Sequence, residues 1–320
     1  MDDIFYPIHS FKDQFVFEPV IVNKEALVKK KNVVICGMGG SAISVHLLKV
    51  LYPELHVSLH NDYGLPTLFD QENTLVICNS YSGNTEEVLD AMKEAIAKNI
   101  PYAAISIGGE LIKNAVEAKI PHVVIPTTGI EPRFSIGYQL LAILSLLGET
   151  EKMTALREAV GKCDIVSAEK DGKELTQALI GKYPILYASH NLFPVAYLIK
   201  ASINEGSKLP CFVNVVPEAN HNELQSFVSK ETKKDSSNFI FVFVQSPKDH
   251  ARVTKRFGIM SALYNDEGYS IAKIDADHTN HTRVFELILL GYFAATYLAL
   301  GRGEDAYKTP LIQEFKSRLS

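Results

Sequence analysis

Two short stretches of this sequence combine glycine with hydroxyl side chains: GMGGS, Gly37 to Ser41, and SYSGNT, Ser80 to Thr85. Each follows an apolar run and leads into a segment of helical periodicity. Glycine lets a backbone approach a ligand closely, and the unpaired N–H groups of a helix N-terminus point at an anion. Ser80, Ser82 and Thr85 add side-chain donors to the second stretch, as Ser41 does beside Gly39 and Gly40 in the first. These residue types suit the grip of a phosphate monoester. The competing reading is a pair of ordinary turns that cap helices.

Other ligands fit less well. GMGGS begins like a dinucleotide fingerprint, but Ala42 stands where the third glycine belongs, and Asp62 lies late for the ribose-binding acid. No Lys-Ser/Thr follows the glycines, so the Walker pattern is absent. The segment DADHTNH, Asp275 to His281, sets two histidines near two aspartates and offers metal-ligand types. Its Asp, Asn and Thr equally favour a helix start, and a capping turn is the preferred reading.

The elements that must position these residues alternate. Apolar runs at Asn32 to Cys36, His56 to His60, Thr74 to Cys78, Tyr102 to Ile107 and His122 to Pro126 read as strands. Between and after them, Ser41 to Leu51, Glu86 to Lys98, Leu111 to Ala118 and Phe134 to Leu147 read as helices. Continuous apolar strands separated by helices predict an α/β fold, a mainly parallel sheet covered on both faces. The polar stretch Glu149 to Lys173 holds the domain boundary, with domains expected at 1–152 and 153–320. The rhythm then restarts with strands at Tyr183 to Ala188, Phe239 to Val244 and Ser270 to Ile274. Helices are expected at Val195 to Ala201, Asp249 to Tyr264, His281 to Leu300 and Pro310 to Leu319. Two doubly wound halves suggest a duplication.

With these residues in place, a resemblance emerges. GMGGSAI followed by SYSGNTEE resembles the first half of a sugar isomerase (SIS) domain, which grips phosphosugars with such a serine/threonine loop. INEGSKLP, Ile203 to Pro210, followed by PEANHNE, Pro217 to Glu223, is similar to the archaeal and bacterial bifunctional phosphoglucose/phosphomannose isomerases. That family also ends in a short helix with a threonine and a lysine, matched by TPLIQEFK. The resemblance spans essentially the whole chain. It implies two SIS-type domains and an aldose–ketose isomerase acting by ring opening and base-catalysed proton transfer through a cis-enediolate. It implies no metal and no cofactor.

The resemblance also assigns roles. Glu205, expected in a polar NEG turn, matches the catalytic glutamate, a carboxylate base for the proton beside a carbonyl. His221 matches an acid/base that the family contributes to the neighbouring subunit's site, which implies a homodimer; imidazole titrates near working pH. Glu223 either orients His221 or is only a first-turn carboxylate at a helix start. Arg133 matches an arginine that stabilises the enediolate; its competing role is an ion pair with Glu131. Lys316, seven residues after Thr309, matches a lysine near the sugar hydroxyls, with Lys308 as the competing cation. Thr309 matches the residue that leaves room for rotation between the second and third sugar carbons and so admits both epimers. One departure stands out: Ser44, Val45 and His46 occupy positions where the family usually has two glycines and an aspartate.

Bulk properties agree with a small-molecule enzyme. The 320 residues carry a formal net charge of −5 and no Lys/Arg block beyond Lys29 to Lys31, which argues against nucleic acid as a main partner. The N-terminal MDDIFY does not read as a signal peptide, and Val284 to Leu300 is short for a membrane span and reads as a buried core helix. The four cysteines are scattered without a CxxC pair, which predicts the reducing cytoplasm. Two alternatives stay open: an isomerase of another phosphosugar, and a phosphosugar-binding sensor that needs no base.

Overall fold

The computed structural model describes residues 3–68, 70–228 and 230–319. Its strands are β1 (Ile21–Val22), β2 (Asn32–Cys36), β3 (Val57–His60), β4 (Thr74–Asn79), β5 (Tyr102–Ser106) and β6 (His122–Val124), then β7 (Tyr183–Ser189), β8 (Phe212–Val216), β9 (Phe239–Gln245) and β10 (Ser270–Asp275). Among the described residues they form a sheet of order β1-β6-β5-β4-β2-β3 and another of order β10-β9-β7-β8. All pairings are parallel except β1 with β6. The α/β expectation holds.

The chain divides into two compact units, one from His9 to Gly161, the other from Lys162 onward together with the segment ending at Ile8. In the first unit β4 is buried along its whole length, as a central strand covered by helices on both faces must be. Val76 and Cys78 pack with Val88, Ala91 and Met92 of the helix Glu86–Ala97. In the second unit an aromatic cluster fills the space beneath the sheet, with Phe241 stacked on Tyr264 at 4.0 Å between ring centroids.

The helix His281–Arg302 is long and apolar enough to cross a membrane by length and composition alone. Its side chains are instead buried against the helices Phe193–Ser207 and Ile165–Leu179, as the core-helix reading expected.

One local expectation is corrected, and two strands were not anticipated. The helix expected over Val195 to Ala201 runs from Phe193 to Ser207, so the NEG residues lie in its last turn and not in a turn between elements. Pro194 suits the first helical positions. Ser202, Ile203, Gly206 and Ser207 continue the buried face, and Gly206 lets the backbone approach Ala295 closely. Strand β8 was not anticipated; only Val216 in it is fully buried, so the apolar signal is weak. The edge strand β1 is two residues long, too short for a periodicity argument.

Candidate functional site

In the first sheet β2 leads to β3 on one side and β4 leads to β5 on the other. The carboxyl ends of β2 and β4 therefore flank a topological switch point, where open α/β sheets bind ligands. GMGGS follows β2 and SYSGNT follows β4, so both hydroxyl-and-glycine loops open on the same crevice of this unit. Gly39 begins the helix Gly39–Leu51 with φ +52°, and Thr85 precedes the helix Glu86–Ala97. Each helix leaves its first N–H groups available at that end.

The loops are fastened to each other. The Tyr81 N–H donates to Ser41 Oγ at 3.2 Å, which crosslinks the first loop to the second and leaves the Ser41 hydroxyl proton free to point elsewhere. Ser80 Oγ accepts from the Gly83 N–H at 3.1 Å and shares a 2.7 Å hydrogen bond with Thr85 Oγ1. Ser80 and Ser41 are buried, Thr85 is half-buried, and Ser82 is exposed, with its hydroxyl accepting from the Asn84 N–H at 3.2 Å. The Ser80–Thr85 pair consumes one of the two hydroxyl protons, so the cradle has fewer side-chain donors than the sequence suggests. Gly83 is required as glycine: its φ is +73°, and a Cβ would lie 1.9 Å from the Gly108 carbonyl oxygen. A Cβ on Gly40 would meet the Pro132 carbonyl oxygen at 2.6 Å, so the first loop sits directly against the segment that carries Arg133. Arg133 is buried, with its guanidinium 4.9 Å from the Phe134 ring centroid. The first unit thus brings Gly39, Gly40, Ser41, Ser80, Ser82, Thr85 and Arg133 into one neighbourhood.

In the second unit Glu205 is half-buried at the C-terminal end of its helix. A helix end leaves carbonyls without partners, and here cationic side chains take them up. Lys208 Nζ donates to the Glu205 carbonyl at 2.8 Å and the Gly206 carbonyl at 3.1 Å, and Arg302 Nε donates to the Ser207 carbonyl at 3.1 Å. Lys208 also reaches the Asp305 carbonyl, which ties Glu205's helix end to the loop leading to Thr309. Sequence reasoning missed Lys208 because its role rests on a contact 97 residues away in the chain.

His221 ends the short helical turn Glu218–His221 after β8 and is exposed. The suggestion that Glu223 orients His221 is not what the structure shows. The Glu223 carboxylate accepts from the Tyr187 hydroxyl at 2.7 Å and from the Asn214 side-chain amide, so it anchors the segment after His221 to β7 and β8. Burial, reinforced by Tyr264 and Glu223, holds the Tyr187 phenol far above its ordinary pKa, so it remains a donor. Thr309 immediately precedes the helix Pro310–Leu319, with the Gln313 N–H donating to its carbonyl at 3.0 Å. Lys316 lies exposed in that helix's last turn. Lys308, the competing cation, points into solvent and pairs with Asp305 at 3.2 Å.

The DADHTNH segment caps a helix. Asn280 accepts from the Arg283 N–H at 3.3 Å, and Asp277 accepts from the Thr279 N–H at 2.9 Å. His278 turns toward Asn191 and Asp249 at the carboxyl ends of β7 and β9. Among the described residues no group of three or more His, Cys, Asp or Glu is arranged to hold a metal ion.

Comparison with known proteins adds context to this geometry. The family described as Bacterial phospho-glucose isomerase C-terminal SIS domain matches residues 168–319. A bifunctional phosphoglucose/phosphomannose isomerase of Aquifex aeolicus is 30% identical over 100% of this chain and 99% of its own. One of Caldicellulosiruptor bescii is 34% identical over 90% of this chain and 89% of its own. Among solved structures, a hypothetical protein from Thermus thermophilus superposes with a TM-score of 0.71 at 14% identity, covering 99% of this chain and 88% of that one.

Proposed function

This chain belongs to the bifunctional phosphoglucose/phosphomannose isomerase family, and from that we infer that it interconverts glucose-6-phosphate and mannose-6-phosphate with fructose-6-phosphate. The observation that carries this reading is full-length similarity to curated isomerases of both sugars. The Ser/Gly loops at the first sheet's switch point supply independent physical support. We read the two halves, 1–152 and 153–320, as SIS-type domains.

The roles are assigned residue by residue. The N–H groups opening the helix at Gly39 and Gly40, with the hydroxyls of Ser41, Ser80, Ser82 and Thr85, take the phosphate. After ring opening, in which the anomeric hydroxyl loses its proton and the ring oxygen gains one, Glu205 removes the proton from the second carbon of the aldose. The electron pair forms a double bond between the first two carbons, and the carbonyl oxygen becomes an oxyanion. Arg133 faces that charge from a buried position, where an electrostatic contact is stronger than in water. The proton of the second carbon's hydroxyl passes to the first oxygen, the second oxygen re-forms a carbonyl, and return of the proton from Glu205 to the first carbon gives the ketose. Lys316 and His221 serve ring opening, with His221 supplied to the site of the partner copy in a homodimer. Thr309 leaves room for the sugar to present either face of its second carbon. Four buried cysteines, scattered along the chain without a CxxC pair, support assignment to a reducing cytoplasm.

Isomerisation of fructose-6-phosphate in D2O tests the proton transfer. Deuterium accumulating at the second carbon of the aldose product supports it. Complete turnover without deuterium in either sugar pool, together with undiminished turnover by Glu205→Gln, points to a hydride-type transfer and removes Glu205 from its assigned role.

A further inference from the structure

The last residue of β4 is an oddity: Asn79 closes the apolar run TLVIC with an amide that is 0% exposed. An apolar side chain would complete this strand at lower cost, because a buried amide loses water and must recover that loss in hydrogen bonds. Asn79 Nδ2 has three acceptors within reach of its two N–H groups: Gln139 Oε1 at 3.0 Å, and the Ser41 carbonyl at 3.2 Å and Ser44 Oγ at 3.4 Å, which share one of them. Among the described residues its Oδ1 has no hydrogen-bond partner.

The bonds continue in two directions. Ser44 Oγ donates to the Ser41 carbonyl at 2.7 Å, which closes one arm on the first loop. Gln139 Nε2 donates to Ser135 Oγ at 2.8 Å, and Ser135 Oγ donates to the Pro132 carbonyl at 2.7 Å. Pro132 precedes Arg133, and its carbonyl is the atom against which Gly40 rests. Asn79, Gln139, Ser44 and Ser135 are all fully buried. A connected polar chain inside a low-dielectric core rigidifies what it joins.

We propose that Asn79 and Gln139 are positioning residues. Asn79 is the junction that holds the first loop against the second, through Ser41 and Ser44. The Gln139–Ser135 arm holds Arg133 in register with both loops. This inference rests on the reading of the loops as the phosphate grip and of Arg133 as the enediolate stabiliser. It also accounts for Ser44, which departs from the family pattern: its hydroxyl is part of the brace.

The two arms have separable kinetic signatures. Gln139→Met keeps the shape and cuts the Arg133 arm. Its kcat on fructose-6-phosphate falls by roughly ten- to a hundredfold, the scale of a misplaced catalytic group, while the inhibition constant of inorganic phosphate moves by less than about threefold. Ser44→Ala weakens the loop arm by removing two of its three hydrogen bonds and leaving that from Asn79 to the Ser41 carbonyl. It raises both KM and the inorganic phosphate inhibition constant by about threefold or more, with kcat held. Asn79→Ala combines the two losses; should it fail to fold, the other two variants carry the test. A purely structural role predicts no such split, and Gln139→Met and Ser44→Ala changing the same parameter, or neither, overturns the proposal. Wild-type chain that isomerises fructose-6-phosphate, with variants that show no split, overturns this inference alone. Wild-type chain that neither turns over fructose-6-phosphate nor binds inorganic phosphate overturns the functional reading with it.

Discussion

Glu205 sits where a helix ends, and Lys208 and Arg302 donate to the carbonyls of that helix end. Glu205→Gln keeps the size and hydrogen-bonding reach of the side chain but removes its basicity. Turnover is expected to fall by about 10²–10⁴-fold, with the dissociation constant of fructose-6-phosphate within several-fold of wild type; loss of binding in parallel would remove Glu205 as the base. The cysteines give a second residue-scale expectation. Burial, aided by Glu94, pushes the Cys36 thiol up to about 12, and burial raises Cys78 well above its ordinary value. Thiolate is the reactive form, so native protein at pH 8 should resist iodoacetamide at these positions, and labelling should begin only with unfolding. Rapid labelling of folded protein at Cys36 would contradict its burial. The identities of Glu205 and His221 as candidates were legible in the motifs. Their settings were not, because the NEG residues carry no local stop signal and the helix end is fixed by Lys208 just beyond it and by Arg302 from 95 residues along the chain.

At the scale of elements, the loop from Asp305 to Thr309 is held from two sides. Lys208 grips the Asp305 carbonyl, while the Asp305 carboxylate accepts from the Tyr307 N–H at 2.9 Å and the Lys308 N–H at 3.2 Å. Those backbone donors, Tyr307 first, hold the Asp305 carboxyl below its ordinary pKa. A folded-state pKa below the unfolded one contributes stability that is present above the unfolded value and lost as pH falls through the folded value. The side chain is 45% exposed, so solvent screening keeps the effect small. Asp305→Asn should therefore show a shallower loss of stability than wild type as pH drops below about 4, read by denaturant midpoints across pH. Identical slopes would remove Asp305 from the acid limb. Lys208→Met breaks charged hydrogen bonds to several carbonyls and should cost about 2 kcal/mol in urea unfolding. The strand and helix rhythm was readable because buried parallel strands are continuous apolar runs. Strand β8 escaped because most of it is only half-buried, and a mixed pattern looks like a loop.

For the whole molecule, the two α/β halves were visible in the restarting rhythm, but the attachment of the N-terminal segment to the second unit was not. It depends on Phe5, whose ring lies 4.8 Å from that of Tyr297 and 5.9 Å from that of Phe293, a contact with no sequence-local signature. The proposed homodimer, with a site shared between copies, also belongs to this scale. Dimers of His221→Ala mixed with Glu205→Gln should regain partial activity, because one of the two sites is rebuilt from intact contributions. Demonstrably mixed dimers without recovery would argue that each chain uses its own histidine. The central claim is tested most directly by assaying purified, EDTA-treated protein on fructose-6-phosphate, with glucose-6-phosphate and mannose-6-phosphate quantified separately. Both aldoses are expected to appear. Neither aldose appearing, with the phosphosugar still bound, would contradict the claim.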